Sequence, residues 1–153
     1  MKQELSLQEK RKWIRAAFWG YKANKTRLPF LEKQYEEIPM PTPGGGFSSS
    51  GKAGGNGVEK SMMHYLFERN ELERLIQECK NKISLVEKTV SHLEVEDYAK
   101  GRRYSAYLRC RFMRGMSYTA AAVECEIPER TAGYWLAEIM NVAYAIAEME
   151  KYI

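Results

Sequence analysis

The sequence predicts an all-α protein, and three of its features support this fold class. Apolar residues recur at helical spacing near the N-terminus, a heptad pattern runs through the middle, and two helix-forming runs joined by a short turn lie near the C-terminus. The 153 residues have room for one modest core, or for two small cores joined by a linker. We expect an N-terminal helical segment over residues 1–38, a flexible linker over 39–57, a long helix over 58–96 and a C-terminal helical domain over 97–153.

An amphipathic basic helix is predicted over residues 5–23. Such a helix can lie on a membrane surface or on DNA, but its aromatic residues favour packing against another helix. A shorter helical piece is predicted around residues 30–38, because the PMPTP run that follows cannot continue a helix. In the first helix the apolar residues at helical spacing are Trp13, Ile14, Ala17, Phe18 and Tyr21, and the basic residues are Lys10, Arg11, Lys12 and Arg15.

The linker predicted over residues 39–57 consists of Pro, Gly and Ser, which cannot bury enough apolar surface to offset the entropy of ordering. Residues 46–53 within it match the G-x-x-x-x-G-K portion of a phosphate-binding loop, but Ala53 stands where a Ser or Thr hydroxyl would bind Mg²⁺. A proline run also precedes this loop, where a buried strand is required. We therefore interpret it as linker composition rather than as a nucleotide site.

A heptad frame with alternating spacings of three and four gives residues 58–96 the strongest periodicity in the chain. Only Arg69 breaks the apolar seam, and the β-branched residues at the a positions favour a parallel two-stranded coiled coil. The alternative is an intramolecular hairpin, in which the seam packs against the aromatic face of the N-terminal helix. The members of the frame are Met62, Tyr65, Arg69, Leu72, Ile76, Cys79, Ile83, Val86, Val90 and Leu93.

Positive charge is concentrated in one short stretch. The net charge is only +4, which does not by itself indicate a nucleic acid partner, so its distribution matters more. Residues 98–114 carry six basic residues and no acid, whereas after Gly115 only Arg130 and Lys151 face six glutamates. This basic block lies where a phosphate-contacting helix is expected, and its alternative interpretation is a solvated helical face.

The composition also disfavours several functional classes. No window approaches the roughly 18 to 20 apolar residues of a membrane span, and charges occupy the N-terminal positions where a signal peptide is apolar. Cys79, Cys110 and Cys125 are widely spaced without a CxxC pair, which favours reduced, buried thiols in a cytoplasmic protein. His64 and His92 lack an obvious catalytic or metal-binding partner. We expect no enzymatic activity, no cofactor, no metal and no membrane partner.

A helix that carries the basic block is predicted over residues 98–114, YAKGRRYSAYLRCRFMR. Gly101 disfavours an earlier start, so the helix is expected to begin near Arg102, and Gly115 is expected to end it as a C-cap. The expected core-face residues are Tyr104, Leu108 and Phe112, and the basic residues are Lys100, Arg102, Arg103, Arg109, Arg111 and Arg114.

The next run, GMSYTAAAVECEIPERTAGYWL, has the pattern of two closely crossed helices. Ser117 is a suitable N-cap for the first helix, and Pro128 followed by Glu129 suits the start of the second. A close, steep crossing requires small side chains where the helices meet. The residues expected at this contact are Ala121, Ala122, Cys125, Ile127, Ala132 and either Trp135 or Leu136.

Residues 107–139 resemble a helix-turn-helix of the sigma-factor region 4 type. An arginine-rich helix is followed by glycine, any residue, serine, an aromatic residue, a small-residue helix, isoleucine at the turn and a recognition helix. The wider layout resembles the phage late-gene transcriptional regulators of the RinA and ArpU type. This resemblance implies sequence-specific binding of double-stranded DNA and activation of phage or prophage genes through contact with host RNA polymerase.

The motif departs from its usual pattern at Glu126, which stands at a turn position usually held by glycine, so the turn must avoid a positive φ or accept strain. The recognition helix offers few cations beside Glu129 and Glu138, so the preceding arginines are expected to hold the phosphates. Ser117 and Tyr118 can reach a phosphate, although an N-cap and a core aromatic explain them equally well. The phosphate-contacting residues are predicted to be Arg102, Arg103, Arg109, Arg111 and Arg114, and the base-reading residues Arg130, Thr131 and Tyr134.

Three functions are compatible with the sequence. The leading one is a transcriptional regulator that forms a homodimer through the heptad helix, since a dimer doubles the phosphate contacts. A small terminase-like packaging protein would also join such a motif to a coiled coil, but as a closed ring of many subunits. The third is a non-enzymatic interaction module whose acidic C-terminal helices bind a protein. The last helix, over residues 141–153, is expected to extend the recognition helix and to serve packing or dimer contacts.

Overall fold

Six α-helices, one of them continued by a π-helical turn, make up the described part of the protein. The computed structural model describes residues 4–41, 54–100 and 102–153. These residues contain no strand, which confirms the all-α fold class. The helices are α1 (Leu7–Trp19), α2 (Tyr21–Glu36), α3 (Gly54–Lys100), α4 (Tyr104–Leu108) with its π-helical continuation Arg109–Met113, α5 (Tyr118–Glu124) and α6 (Glu129–Met149).

The N-terminal segment is two consecutive helices. The helix predicted over residues 5–23 is present as α1, but it ends at Trp19, and the predicted end at residue 23 is wrong. A capping box starts α1: the Ser6 hydroxyl accepts from the Glu9 N–H, and the Glu9 carboxylate accepts from the Ser6 N–H at 2.9 Å. The backbone leaves helical geometry at Gly20, a weak helix former, where φ is −95° and ψ is 8°. α2 then continues through Pro29, so the piece predicted at 30–38 belongs to a longer helix.

Most of the predicted linker lies outside the described residues. Residues 46–53, which match part of a phosphate-binding loop, lie entirely outside the described residues, so their interpretation as linker stays a prediction. α3 begins at Gly54 instead of residue 58 and continues past residue 96 to Lys100. The long helix expected from the heptad pattern is therefore present and longer at both ends.

The chain divides into two compact units. Unit one comprises Met1–Thr26 and Lys80–Ile153, and unit two comprises Arg27–Cys79. In unit one the C-terminal half of the heptad seam is buried within the chain itself, as the intramolecular alternative requires. The buried seam residues there are Ile83, Val86, Val90 and Leu93.

Arg69, the residue that breaks the seam, has a polar partner within unit two. Its Nε donates to the Tyr35 hydroxyl at 2.7 Å, and its guanidinium lies 5.5 Å from the centre of the Tyr35 ring. The Tyr35 hydroxyl in turn donates to Glu73 at 2.6 Å. The charged seam position is thus accommodated by α2 of the same chain.

In the core of unit one, α1 packs against α6. On α1, Ile14, Ala17 and Phe18 are buried, and the Phe18 ring meets Phe112 edge to face with 5.3 Å between ring centres. The predicted packing of the aromatic N-terminal helix is confirmed. α6 contributes the buried residues Ala132, Ile139, Ala143, Ile146 and Ala147.

A buried carboxylate connects the end of α3 to the start of α4. Asp97 accepts the backbone N–H groups of Tyr104 and Ser105 at 3.0 and 2.6 Å, and it also accepts the Ser105 hydroxyl. All three residues are buried. Asp97 therefore occupies otherwise unsatisfied donors at the start of the helix that carries the basic block.

The helix pair predicted near the C-terminus is present as α5 and α6. Ser117 is the N-cap of α5, as predicted, because its hydroxyl accepts from the Ala120 N–H at 3.1 Å. Gly115 has a φ of 73°, the left-handed conformation typical of a C-cap glycine. α6 continues unbroken to Met149, so the last predicted helix does extend the helix that was predicted to read DNA. At the crossing Ala121, Ala122, Cys125 and Ala132 are buried, and Ile127, Trp135 and Leu136 are half-buried.

The turn between α5 and α6 adopts the strained alternative. Glu126 has a φ of 57°, a left-handed conformation that side chains with a Cβ disfavour. Its N–H donates to the Val123 carbonyl, and the Ile127 N–H donates to the Ala122 carbonyl, both at 3.0 Å. These bonds close the end of α5 and hold Glu126 in a geometry better suited to glycine.

Replacing Asp97, which accepts the N–H groups at the start of α4, should destabilise the protein. We expect Asp97→Ala to lower the free energy of unfolding by about 2–3 kcal/mol, because buried N–H and O–H donors lose their partner. Chemical denaturation followed by circular dichroism measures this loss. The exposed cap variant Ser117→Ala is the comparison, with a loss of about 1 kcal/mol. Equal losses in the two variants would contradict the role assigned to Asp97.

Removing the backbone strain at Glu126 should stabilise the protein. We expect Glu126→Gly to raise the free energy of unfolding by up to about 1 kcal/mol, because glycine adopts a positive φ without steric cost. The control is Glu124→Gly, an exposed position in regular helix, which should lower it by roughly 1 kcal/mol. Thermal denaturation of both variants provides the test, and a loss at both positions would show that the turn is not strained.

Candidate nucleic-acid interface

Four exposed side chains form a stripe along one side of α6. Arg130, Tyr134, Ala137 and Asn141 follow one another at spacings of three or four residues, and all four are exposed. The Arg130 Nε donates to the Tyr134 hydroxyl at 3.3 Å, and the guanidinium lies 5.9 Å from the Tyr134 ring centre. We call these four residues the α6 stripe. Its guanidinium, hydroxyl and amide are groups that can recognise base edges.

Tyr118 holds α5 against the beginning of α6. Its hydroxyl donates to the Glu129 carbonyl, and a Cβ on Gly133 would lie 3.1 Å from that hydroxyl. Tyr118 is half-buried, and Ser117 is occupied as the N-cap. Both therefore have structural roles, and their contact with a phosphate stays a prediction. Thr131, the remaining predicted base reader, is half-buried on α6.

Two of the arginines predicted to contact phosphates form ion pairs within the chain. Arg102 Nη1 lies 3.4 Å from the Glu138 carboxylate and donates to the Tyr104 hydroxyl at 2.9 Å. Arg109 pairs with Glu94 of α3. A nearby carboxylate offsets part of each positive charge, so these two arginines attract phosphate less than isolated cations would.

Arg111 packs into the structure. It is half-buried, and its Nη1 donates to the Met116 carbonyl at 3.0 Å, just before α5. Its guanidinium lies 5.9 Å from the centre of the Trp19 ring and 5.4 Å from that of Phe112. Arg111 therefore braces the chain between the π-helical turn and α5, and its charge is directed at aromatic rings.

The five predicted arginines do not share one face. Successive residues rotate by about 100° in an α-helix and by less in a π-helix, so Arg109 and Arg111 point to nearly opposite sides. Arg103 and Arg114 are exposed, and neither pairs with an acid among residues 4–41, 54–100 and 102–153. Arg103 and Arg114 are thus the two predicted arginines that are both exposed and without a described acidic partner.

Arg11 and Arg15 of α1 lie beside the α6 stripe, and the sequence interpretation did not assign them to the site. They line one groove together with Ala137 and Asn141. Both arginines are exposed, and neither forms an ion pair with a described acid. Their basic pattern was visible in the sequence, but the pattern did not show that α1 packs against the recognition helix. Asn141 was missed because the stretch from residue 141 onward was expected to serve packing or dimer contacts.

Glu138 of α6 is held by two groups of the predicted basic block. Glu138 accepts the Tyr104 hydroxyl and pairs with Arg102. Burial, followed by the hydrogen bond to Glu138, raises the pKa of Tyr104, so the hydroxyl remains a donor at neutral pH. Pairing with Arg102 also lowers the repulsion that Glu138 would exert on a phosphate.

The cysteines are free and buried, as their spacing predicted. Cys125 ends α5 and interacts with Cys110 in the π-helical turn. Burial, together with the neighbouring Cys110, raises the pKa of the Cys125 thiol to about 11. The thiol is therefore protonated at neutral pH and acts as an apolar core group.

Comparison with known proteins identifies no relative. A scan against protein-family models finds no match, and searches of curated proteins and of solved structures find none either. Among the described residues, no helix has an apolar stretch long enough to cross a bilayer. Within the same residues, no group of three or more His, Cys, Asp or Glu side chains is placed to hold a metal ion. Functional inference therefore depends on the geometry of the α6 stripe and its neighbours.

Arg111 and Arg103 have different surroundings, so their replacement should change the free energy of unfolding by different amounts. Arg111→Ala should lower the free energy of unfolding by about 1–2 kcal/mol, because it removes packing against two rings and a hydrogen bond to the backbone. Arg103→Ala, at an exposed position, should change it by less than about 0.5 kcal/mol. Urea denaturation of both variants tests the contrast. Similar small effects would mean that Arg111 is an ordinary surface arginine.

Proposed function

We propose that this protein is a sequence-specific DNA-binding transcriptional regulator that uses α5 and α6 as a helix-turn-helix. The observation that supports this most is the exposed α6 stripe beside the unpaired cations Arg11 and Arg15. A capped first helix, a short turn and a second helix with an exposed polar face are the parts that such a motif requires.

The α6 stripe would read the bases. A major groove about 12 Å wide admits a single α-helix, and arginine and asparagine recognise guanine and adenine through paired hydrogen bonds. Arg130 and Asn141 supply these two groups, and Tyr134 adds a hydroxyl between them. Ala137 has a small side chain in the middle of the α6 stripe, so the backbone of α6 can approach the base edges there.

Exposed cations on both sides of the motif would hold the phosphates. Arg11 and Arg15 come from α1, while Arg103 and Arg114 come from the predicted basic block. Lys22 lies close to the last of these, since its Nζ donates to the Arg114 carbonyl at 3.3 Å. Contacts of this kind give affinity without base preference and release counterions from the DNA.

We also propose that the regulator is a homodimer and that it contacts host RNA polymerase in activating phage or prophage genes, as the resemblance implies. The buried half of the heptad seam is used within unit one, so the dimer contact is assigned to the N-terminal half of α3 in unit two. Met63, Leu66 and Phe67 lie there at helical spacing, and Met63 and Phe67 are about 70% exposed. An exposed apolar group of this kind is typical of a protein interface.

Selection from a pool of random duplexes, followed by gel-shift titration, tests the proposed function. We expect one preferred site, with affinity that falls steeply between about 50 and 200 mM salt. Neutralising two phosphate contacts in Arg103→Gln/Arg114→Gln should weaken binding to every duplex and reduce the slope of log affinity against log salt by about 2. Arg130→Ala should instead reduce the preference for the selected site by about 1–3 kcal/mol.

The matched control removes the same charge from unit two. Arg27→Gln/Lys60→Gln changes two exposed cations outside the motif and should leave the salt slope unchanged. Absence of binding to any duplex at low salt would refute the DNA-binding function. An equal effect of the two double variants would show that binding follows net charge alone, which would refute the assigned surface.

A further inference from the structure

A groove between α1 and α6 has the size and the lining of a small-molecule site. Its volume is about 420 Å³, within the range of ligand pockets in proteins. One wall is α1, with Ile14 and Trp19, and the other is α6, with Leu136, Met140 and Tyr144. Both walls belong to unit one. The groove therefore combines two aromatic side chains with aliphatic surface.

The polar groups of the groove favour a negatively charged ligand. Arg11 and Arg15 are one helical turn apart on α1, and the Asn141 amide stands on α6. None of the described residues that line the groove is acidic. A guanidinium binds a carboxylate through parallel hydrogen bonds, so this arrangement complements an anionic group and not a cationic one.

The aromatic side chains and the cations lie close enough to act on one ligand. The Arg15 guanidinium lies 5.2 Å from the centre of the Trp19 ring, which is 45% exposed. The Tyr144 hydroxyl is hydrogen-bonded to Glu148, and Arg11 is also near enough to act on it electrostatically. A flat ring between the walls would thus bring its acidic substituent to the two guanidinium groups.

We propose that this groove binds a small aromatic carboxylate. The ring system lies between Trp19 and the side chains of Met140 and Tyr144, and the carboxylate accepts hydrogen bonds from Arg11 and Arg15. This inference goes beyond DNA binding and does not depend on it, because the ligand site is complete within α1 and α6 and is measured without DNA.

Calorimetric titration of the full chain with two probes of equal shape tests the proposal. We expect 1-naphthoate to bind with one site per chain. The neutral 1-naphthamide should bind at least about tenfold more weakly, since charge-assisted hydrogen bonds contribute roughly 1.5 kcal/mol or more. Equal affinity for the two probes would overturn the role of the arginines. Absence of heat and of any competition by 1-naphthoate against a fluorescent naphthalene sulfonate would overturn the site.

Two variants locate the binding. Ala137→Trp fills the groove from an exposed position on α6 and should abolish 1-naphthoate binding, whereas Ala145→Trp, also exposed on α6 but outside the groove, should not. Arg11→Gln/Arg15→Gln should reduce 1-naphthoate affinity about tenfold and leave 1-naphthamide unchanged. Should the tryptophan variant fail to fold by circular dichroism, the glutamine variant decides. Unchanged 1-naphthoate binding in the folded glutamine variant would refute the proposal.

Discussion

The position of the whole C-terminal region depends on the buried carboxylate of Asp97. This side chain occupies the first N–H groups of α4 while it belongs to the last turns of α3, so it fixes one helix to the end of another. The basic block, the π-helical turn and the α5–α6 pair all follow from that connection in chain order. Because the acceptor is buried with its donors, any displacement of α4 would leave polar groups without partners, which is more costly than losing a surface contact.

α6 combines two tasks that are often divided between helices. Its buried face supplies the core against α1 and α5, and its exposed face carries the α6 stripe. The arginines of α1 reach this surface only because α1 packs beside α6. The same packing creates the groove, so a ligand held there would occupy cations that the proposed DNA interface also uses. The core, the proposed DNA interface and the groove consequently all depend on the packing of α1 against α6.

Local patterns predicted much of this structure, and long-range placement accounts for what they missed. Ser117, Gly115 and the small residues Ala121, Ala122 and Ala132 were recognisable because caps and crossings depend on a few neighbouring residues. Asp97 was not, since its partners lie seven and eight residues further along the chain, at the start of the next helix. The arginines of the basic block were grouped by sequence proximity, but the π-helical turn and the acids on other helices separate them. Arg11 and Arg15 had a clear basic pattern whose location only the fold could show.

The unbroken course of α6 restricts how its surface can vary in related sequences. Each residue turns the helix by about 100°, so one residue inserted between Tyr134 and Ile139 would rotate the exposed stripe by that angle against the buried face. Single replacements on the stripe leave the core residues in register. The chemistry of the exposed stripe can therefore change through single replacements, whereas insertions and deletions before Ile139 would disturb the packing. The length of α6 is therefore constrained by geometry, whereas the side chains of the stripe are not.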